Sequence, residues 1–453
     1  MLAGCTVGPR YQKPKVEIAP QFRGATVSET TPSIGDVKWA EVFGDPTVEQ
    51  LVNTALQHNF DLAAAAERVQ QARAALGVTR ANQFPFLDAQ AGFTGARGSS
   101  VGSSRFIPAG TNLSSSYTQV GAALSWELDL FGRLRRLTEA ARAQYLASEE
   151  ARRGIQVALI GDVTSTYFDL LERDLELEIS RKTLGIAENS LKLVQLRHDR
   201  GAATGLELRQ AEELQYTATA QIAAVQRAIG QTEDALSLLL GQAPSNQPRG
   251  RALSDIPVPK ALPAGLPSAL LERRPDIRAA EQNLIAANAQ IGAARALYFP
   301  QIGLTAFAGG QSRALTDIVT APARVYSVAP SALLPIFRAG QIRSQVRLTE
   351  AQERELLVRY QQSIYTALRD VSDALIGDSG TRDQRAQQEL LVTALSETAR
   401  LSDLRYRGGL DSYLQVLDAQ RNLFAGQLQL AQLRLQELNS VVQFYRALGG
   451  GWQ

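Results

Sequence analysis

Apolar positions along this chain repeat with two different periods, and the switches between them outline its elements. Residues 61–84 and 275–299 are Ala-rich helical stretches, each closed by a proline, Pro85 and Pro300. After each comes alternation of period two, the mark of a strand with chemically different faces. Residues 87–94 and 117–126 make the first predicted hairpin, across a Gly/Ser-rich loop at 98–116, and residues 302–309 and 325–334 make the second. Long helical runs follow, at 133–200 and 340–407. At 1.5 Å per residue each spans about 100 Å, which suits a coiled coil or the wall of a helical barrel. In the last helix Leu414, Leu417, Arg421, Phe424, Leu428, Ala431, Leu435, Leu438, Val442 and Tyr445 follow an unbroken 3-4 spacing. Leu423, Leu430 and Leu433 add a second apolar edge, so the helix is expected to pack on both sides. A soluble bundle with one broad buried face fits the same period.

Proline placement sharpens this reading. All 18 prolines lie at or before Pro108 or between Pro244 and Pro335. The runs 109–243 and 336–453 contain none, so long helices are allowed there and almost only there. These runs also resemble each other. Residues 196–208 align with 404–416 at an offset of 208, which still holds at Ala211/Ala419 and Leu240-Gly241/Leu448-Gly449. Phe84-Pro85 answers Phe299-Pro300, and Phe131 answers Phe337. An internal duplication of about 200 residues is the expectation. Its organisation is an N-terminal segment 1–60, a first repeat 61–243, a Pro-rich linker 244–274, a second repeat 275–449 and a tail 450–453. Within the repeats the hairpins take 87–126 and 302–334, and the helical hairpins 133–241 and 340–448. Gly201 and Gly409 sit where glycines terminate helices. Thr204 with Glu207, and Ser412 with Gln415, are spaced as capping boxes.

Composition removes several functions. A net charge of +2 leaves no electrostatic footprint for nucleic acid. One Cys excludes an internal disulfide framework, and two His (His58 and His198) leave little for metal or imidazole chemistry. No phosphate loop, His-Glu-x-x-His, paired cysteines or plausible triad is present, so neither an enzyme nor a metal site is expected. No stretch approaches 18 consecutive apolar residues, which argues against a transmembrane helix but not against barrel strands of about 9–11 residues. At the start, Leu2-Ala3-Gly4-Cys5 has the small residues before Cys that a lipoprotein signal peptidase reads. No charged or apolar region precedes them, as in a chain that begins inside a signal peptide. Acylation of Cys5 is one reading and an incidental free thiol the other.

Several segments together resemble the TolC-like outer-membrane factor family, in the lipoprotein branch that serves tripartite multidrug pumps. The opening Gly4-Cys5-Thr6-Val7-Gly8-Pro9-Arg10-Tyr11 resembles that branch's acylated start, although Arg10 stands where Asp is common. Trp126-Glu127-Leu128-Asp129-Leu130-Phe131-Gly132-Arg133 resembles its strand-to-helix junction, and Leu271-Glu272-Arg273-Arg274-Pro275-Asp276 the opening of its second half. Tyr406-Arg407-Gly408-Gly409, Leu417-Asp418-Ala419-Gln420-Arg421 and Leu448-Gly449-Gly450-Gly451-Trp452 complete a set that spans nearly the whole chain in order.

The resemblance implies a mainly α fold with a β-barrel part: a homotrimer whose four strands per protomer close a twelve-stranded outer-membrane barrel, continuing into a periplasmic helical tunnel. It implies a passive exit duct, with a periplasmic adaptor, an inner-membrane pump and outer-membrane lipid as partners, and no cofactor beyond a lipid on Cys5. Drug efflux fits the lipoprotein-like start. Metal efflux, the duct of a type I protein secretion system and an elongated coiled-coil scaffold are the alternatives. In the family, apolar and acidic side chains ring the closed tip, and the matching positions are Leu414 and Asp418. They lie four apart and so share a helix face. A seam role for Leu414 and favourable charge near a helix N-terminus for Asp418 are the plainer readings. Tyr406, Arg405 and Arg407, with Arg197 and Asp199 from the first repeat, are candidate tip contacts between helices, or solvated helix ends. The turns carrying Gly201, Thr204, Leu206, Gly409 and Ser412 are the candidate adaptor-docking surface. Trp126, Tyr117, Phe131, Tyr298, Phe299 and Phe337, near strand ends, suit an aromatic girdle or core packing.

Overall fold

Residues 60–239 and 275–447 form two runs of elements in the same order. The computed structural model describes residues 6–24, 33–37, 39–99, 112–259 and 262–450; Cys5 lies outside them. After α1 (Trp39–Phe43) and α2 (Pro46–His58), the first run is α3 (Phe60–Ala81), β1 (Phe86–Arg97), β2 (Ser114–Leu128), α4 (Arg133–Asp199) and α5 (Gly205–Leu239). After the short α6 (Leu270–Arg273), the second is α7 (Pro275–Ala296), β3 (Gln301–Ser312), β4 (Arg324–Leu333), α8 (Gln341–Arg407) and α9 (Tyr413–Ala447). The paired helices have 22, 67 and 35 residues in each run. The strands run longer than the alternation alone suggests, except that β4 stops at Leu333. Among the described residues no helix is long and apolar enough to cross a membrane.

The chain divides into two units. The first takes Met1–Pro14, Val69–Ala147 and Ala280–Arg359. Its centre is one antiparallel sheet in the order β1-β2-β3-β4, in which β2 and β3 join segments far apart in sequence. Below the sheet α4 and α7 meet through Ala140, Ala143, Ala286 and Ala289, small side chains that let the helix axes approach closely. Asp129 starts α4 by accepting bonds from the amides of Leu134 and Arg135, at 3.1 and 2.9 Å, satisfying two of the donors a helix N-terminus leaves open. The N-terminal residues 6–14 lie along this helix pair. Arg136 donates to the carbonyls of Val7 (3.3 Å) and Pro9 (3.2 Å), and Lys13 pairs with Glu281 at 3.0 Å.

The second unit takes Lys15–Arg68, Ser148–Ala279 and Tyr360–Gln453. Its largest fully buried side chains include Tyr167, Phe168, Leu170, Leu236, Leu240, Ile277, Tyr360, Ile364 and Phe444. Two of its buried tyrosine hydroxyls are satisfied by backbone: Gly250 N–H donates to Tyr167 (2.8 Å), and Tyr445 donates to the carbonyl of Val37 (2.9 Å). Helices α5 and α9 end alike, with Gly241 (φ 69°) and Gly449 (φ 72°) in the left-handed region.

Candidate functional site

The sheet of the first unit has two chemically distinct faces, and the strand register decides which residues share each. Leu87 opposes Leu124, Ala89 opposes Ala122 and Ala91 opposes Val120. Those β2 residues oppose Ala306, Ala308 and Gly310, and Trp126 opposes Leu304. In turn Leu304, Ala306 and Ala308 oppose Pro330, Val328 and Tyr326. Directly opposed residues point the same way, so over this stretch one face is apolar across all four strands; beyond it the same face turns polar at Thr118, Ser312 and Arg324. The other face carries Asp88, Gln90, Thr94, Gln119, Ser125, Thr305, Gln311, Ser327 and Ser331, with Phe86 and Phe307 as large apolar exceptions. Leu87, Phe93, Val120, Tyr326 and Val328 on the apolar face are all exposed in the single chain. A contiguous exposed apolar area of this extent marks contact with lipid or another protein.

The sheet also has two open edges, β1 and β4, each a row of unpaired backbone groups. Aromatic side chains gather where strands meet helices. Phe131 stacks on Phe299 with centroids 4.8 Å apart, and the Trp126 indole donates to the Gln83 carbonyl at 3.1 Å. Tyr298 is exposed beside them, and Phe337 is 85% exposed. Tyr117 opposes Thr94 on the polar face, at the other end of β2.

In the second unit the helical hairpins α4–α5 and α8–α9 end in similar turns. Gly201 and Gly409 both have φ of 73°, a conformation in which any Cβ is strained. In the first turn Gly201 N–H bonds the His198 carbonyl and Ala202 N–H bonds that of Arg197; in the second, Gly409 bonds Tyr406 and Leu410 bonds Arg405. Both are the paired closure expected of a glycine-terminated helix. Thr204 forms a full capping box with Glu207. Ser412 does not: it is the N-cap residue of α9, but its side chain makes no capping bond. The expected second capping box is therefore absent, and the turn is closed by an ion pair from Arg405 to Asp411 at 2.6 Å.

The tip residues come together selectively. Arg197 lies 4.6 Å over the Tyr406 ring and reaches its carbonyl at 3.4 Å, so it does link α4 to α8. Tyr406 in turn packs edge-on against Tyr413, at 5.4 Å. Both tyrosines are buried in a cluster with Ala187, Val194, Ala211, Leu214, Val416 and Leu417. Burial, with Tyr406 alongside, pushes the Tyr413 hydroxyl up to about 12. Arg405 and Arg407 do not join neighbouring helices within the chain. Arg405 pairs across its own turn, holding the Asp411 carboxyl below the usual carboxylate range, and Arg407 pairs with Asp403 one helical turn back at 2.8 Å. Asp199 stands 3.7 Å from the neighbouring His198. The pattern of the sequence did not single out Tyr413 or Asp411. An Arg and an Asp bracketing a Gly-Gly turn was the one available signal for the latter.

Leu414 is not a seam residue. It is 51% exposed, as is Arg421 in kind, whereas Leu417, Phe424, Ala431, Leu438, Val442 and Tyr445 are buried as the 3-4 spacing predicts. The exposed stripe of α9 runs Leu414, Asp418, Arg421, Ala425, Gln429, Gln432, Gln436. Leu414 is thus a bulky apolar side chain at the tip end of an otherwise polar or small stripe, with Asp418 one turn along it. Gly201, Thr204, Leu206, Gly409 and Ser412 all lie exposed on the two turns, together with Leu410.

Comparison with known proteins places these features. The family model for the outer membrane efflux protein matches residues 51–242 and 266–450. The solvent efflux pump outer membrane protein SrpC of Pseudomonas putida is 41% identical over 458 residues, covering 100% of this chain and 96% of that protein. The solved outer-membrane channel OprN superposes with a TM-score of 0.91 at 30% identity, over 99% of this chain and 100% of that one. The open-state outer membrane channel MtrE of Neisseria gonorrhoeae superposes with a TM-score of 0.87 at 32% identity, over 99% of both chains. The chain belongs to the outer membrane efflux protein family, as an outer-membrane channel component of an efflux pump.

Proposed function

We propose that three copies of this chain assemble into a passive exit duct that carries small toxic organic compounds from the periplasm across the outer membrane. The observation that carries this reading is the four-stranded sheet with one apolar face and two open edges. Four strands cannot close a membrane barrel, since the smallest bacterial single-chain barrels have eight; three copies supply twelve. The apolar face then meets lipid and the polar face lines water. The equal lengths of the paired helices support an ancestral duplication, with repeats 61–243 and 275–449 flanked by the segments 1–60 and 244–274. Names such as solvent efflux and toluene efflux among the relatives point to apolar organic solutes. Acylation of Cys5 anchors the chain in lipid.

The exposed turns at Gly201, Thr204, Leu206, Gly409 and Ser412 are the docking surface for a periplasmic adaptor, which links the duct to an inner-membrane pump. The gate is the exposed pair Leu414 and Asp418. Threefold repetition makes two stacked rings, one narrowing the pore by bulk and one of carboxylates, which binds cations and resists anions. Planar-bilayer recording of the reconstituted protein tests this. Leu414→Ala is expected to raise single-channel conductance. Asp418→Ala is expected to weaken block by multivalent cations and to lower cation selectivity. Conductance and block that match the parent in both variants would remove the gate from this end of α9.

A further inference from the structure

The sheet contains, within one chain, a template for the junction between chains. The β2–β3 ladder is where the first repeat's second strand meets the second repeat's first strand. In a closed ring built from such repeats, β4 meets β1 of the next copy in the same way. Two fixed offsets carry one junction onto the other. Strands β1 and β3 both have 12 residues and start 215 apart, at Phe86 and Gln301. The hairpin partners of the equivalent residues Leu87 and Ile302 are Leu124 and Ala332, which are 208 apart, the offset that also separates Gly132 from Gly340 and the starts of α4 and α8.

We infer that the edge strand β4 pairs antiparallel with β1 of a neighbouring copy in one register, with Ala332 opposite Ala91 and Ile336 opposite Leu87 of that copy. The inference rests on the ring-closed reading given above and adds the residue-level seam to it. Carried across, Leu124–Ala306 becomes Ala332–Ala91, Trp126–Leu304 becomes Leu334–Ala89, and Leu128–Ile302 becomes Ile336–Leu87. Every one of these pairs is apolar and falls on the apolar face. The faces of β1 are fixed by its ladder with β2, so a slip by one residue would set Leu334 of the apolar face opposite Asp88 or Gln90 of the polar one, a mismatch that the alternation of a regular ladder opposes.

The same template explains why β4 is shorter than β2. The last three residues of β2, Trp126 to Leu128, have no partner in β1, whose ladder stops at the Phe86–Ser125 pair; β3 alone holds them. Their counterparts Leu334 to Ile336 have nothing to pair with in the single chain, where β4 ends at Leu333. Ile336 is 93% exposed there. In the seam these residues extend β4 by three. Pro330 and Pro335 lie at positions of opposite parity, so only one of the two missing amides falls on the neighbour's side and the seam loses a single ladder bond there.

Cysteine cross-linking in outer membranes reads the register. The full chain carrying Ala91→Cys with Ala332→Cys is expected to give covalently linked chains on oxidation, about tenfold more than Ala89→Cys with Ala332→Cys or Ala91→Cys with Leu334→Cys, because only directly opposed Cβ atoms approach disulfide distance. Leu87→Cys with Ile336→Cys is a second matched pair, and single-cysteine variants are expected to give none. Each variant's trimer content is measured separately with an amine cross-linker. Preferential linkage of a shifted pair overturns the register. Trimers without any disulfide overturn the β4–β1 seam and leave the duct reading standing, whereas absence of oligomers in the parent chain overturns the duct reading itself.

Discussion

The two helical hairpins of the second unit share a turn geometry and close it with different chemistry. In the α4–α5 turn the work falls to backbone capping: Thr204 and Glu207 satisfy each other's amides in a box exposed to water. In the α8–α9 turn, 208 positions on, Ser412 leaves its capping position unbonded, and closure comes from the Arg405–Asp411 pair and the buried Tyr406–Tyr413 contact. The residues 208 positions before those tyrosines are His198 and Gly205, which do not make such a contact. One hairpin is held by local hydrogen bonds and the other by packing against α4 and α5. The two proline-free helical hairpins can therefore keep the same backbone while their tips respond to different perturbations.

The largest effect is expected at the packed tip. Tyr406→Ala should cost about 3–5 kcal/mol of local stability, the range for emptying a buried aromatic site, read as faster amide exchange around residues 187–214. The Tyr406 hydroxyl is buried without a hydrogen-bond partner among the described residues, so Tyr406→Phe should cost nothing and is expected to stabilise slightly. If Ala and Phe behave alike, the packing account of this hairpin is wrong.

A second asymmetry, between the long helices α4 and α8, lies deeper. Glu172 in α4 is 1% exposed, while Gly380 stands 208 positions on, in α8. Arg173 is shared among Asp169, Glu172 and Glu176 at 3.5, 3.7 and 3.2 Å. The α5 side chains reaching this cluster, Gln221 and Thr232, are uncharged. Burial first, and then Glu176, push the Glu172 carboxyl up to about 7. A folded value above the unfolded one means the stabilisation is complete below about pH 4.5 and is lost as pH rises through about 7. Thermal unfolding should show up to about 3 kcal/mol of stability lost over that window. Glu172→Gln should flatten the profile and raise the melting temperature at pH 8. An unaltered slope in that variant would mean that Glu172 is ionised throughout.

Smaller effects separate the caps. Thr204→Ala is expected to destabilise the first hairpin by about 1 kcal/mol, whereas Ser412→Ala should change the second by roughly a few tenths. Amide exchange at the starts of α5 and α9 measures both. Equal losses would show that Ser412 caps after all. The smallest change is expected from Asp411→Asn, because its ion pair with Arg405 lies at the surface, where water screens it; exchange at Gly408 to Leu410 is the readout.

Much of this arrangement was legible in the residues alone, because the signals involved are local. Proline exclusion and 3.6-residue periodicity locate helices through bonds that span four residues, and the predicted ends of α4 and α8 differ from the observed ones by a single residue. Glycines at 201 and 409 mark the turns because the required φ depends on one residue's own sterics. Period-two alternation likewise separates the faces of each strand. What no local pattern contained was which face-sharing residues meet across β2 and β3, segments about 180 residues apart. Nor did it contain the fate of the first turn of α9. The 3-4 spacing put Leu414 in the seam, but there Tyr413 turns inward to pack with residues of α4, α5 and α8, and Leu414 faces out. Ser412 and Gln415 have capping-box spacing and make no side-chain capping bond. Spacing says which groups are near enough to bond; only the packed neighbours, by burying one face and leaving another wet, decide which of them do.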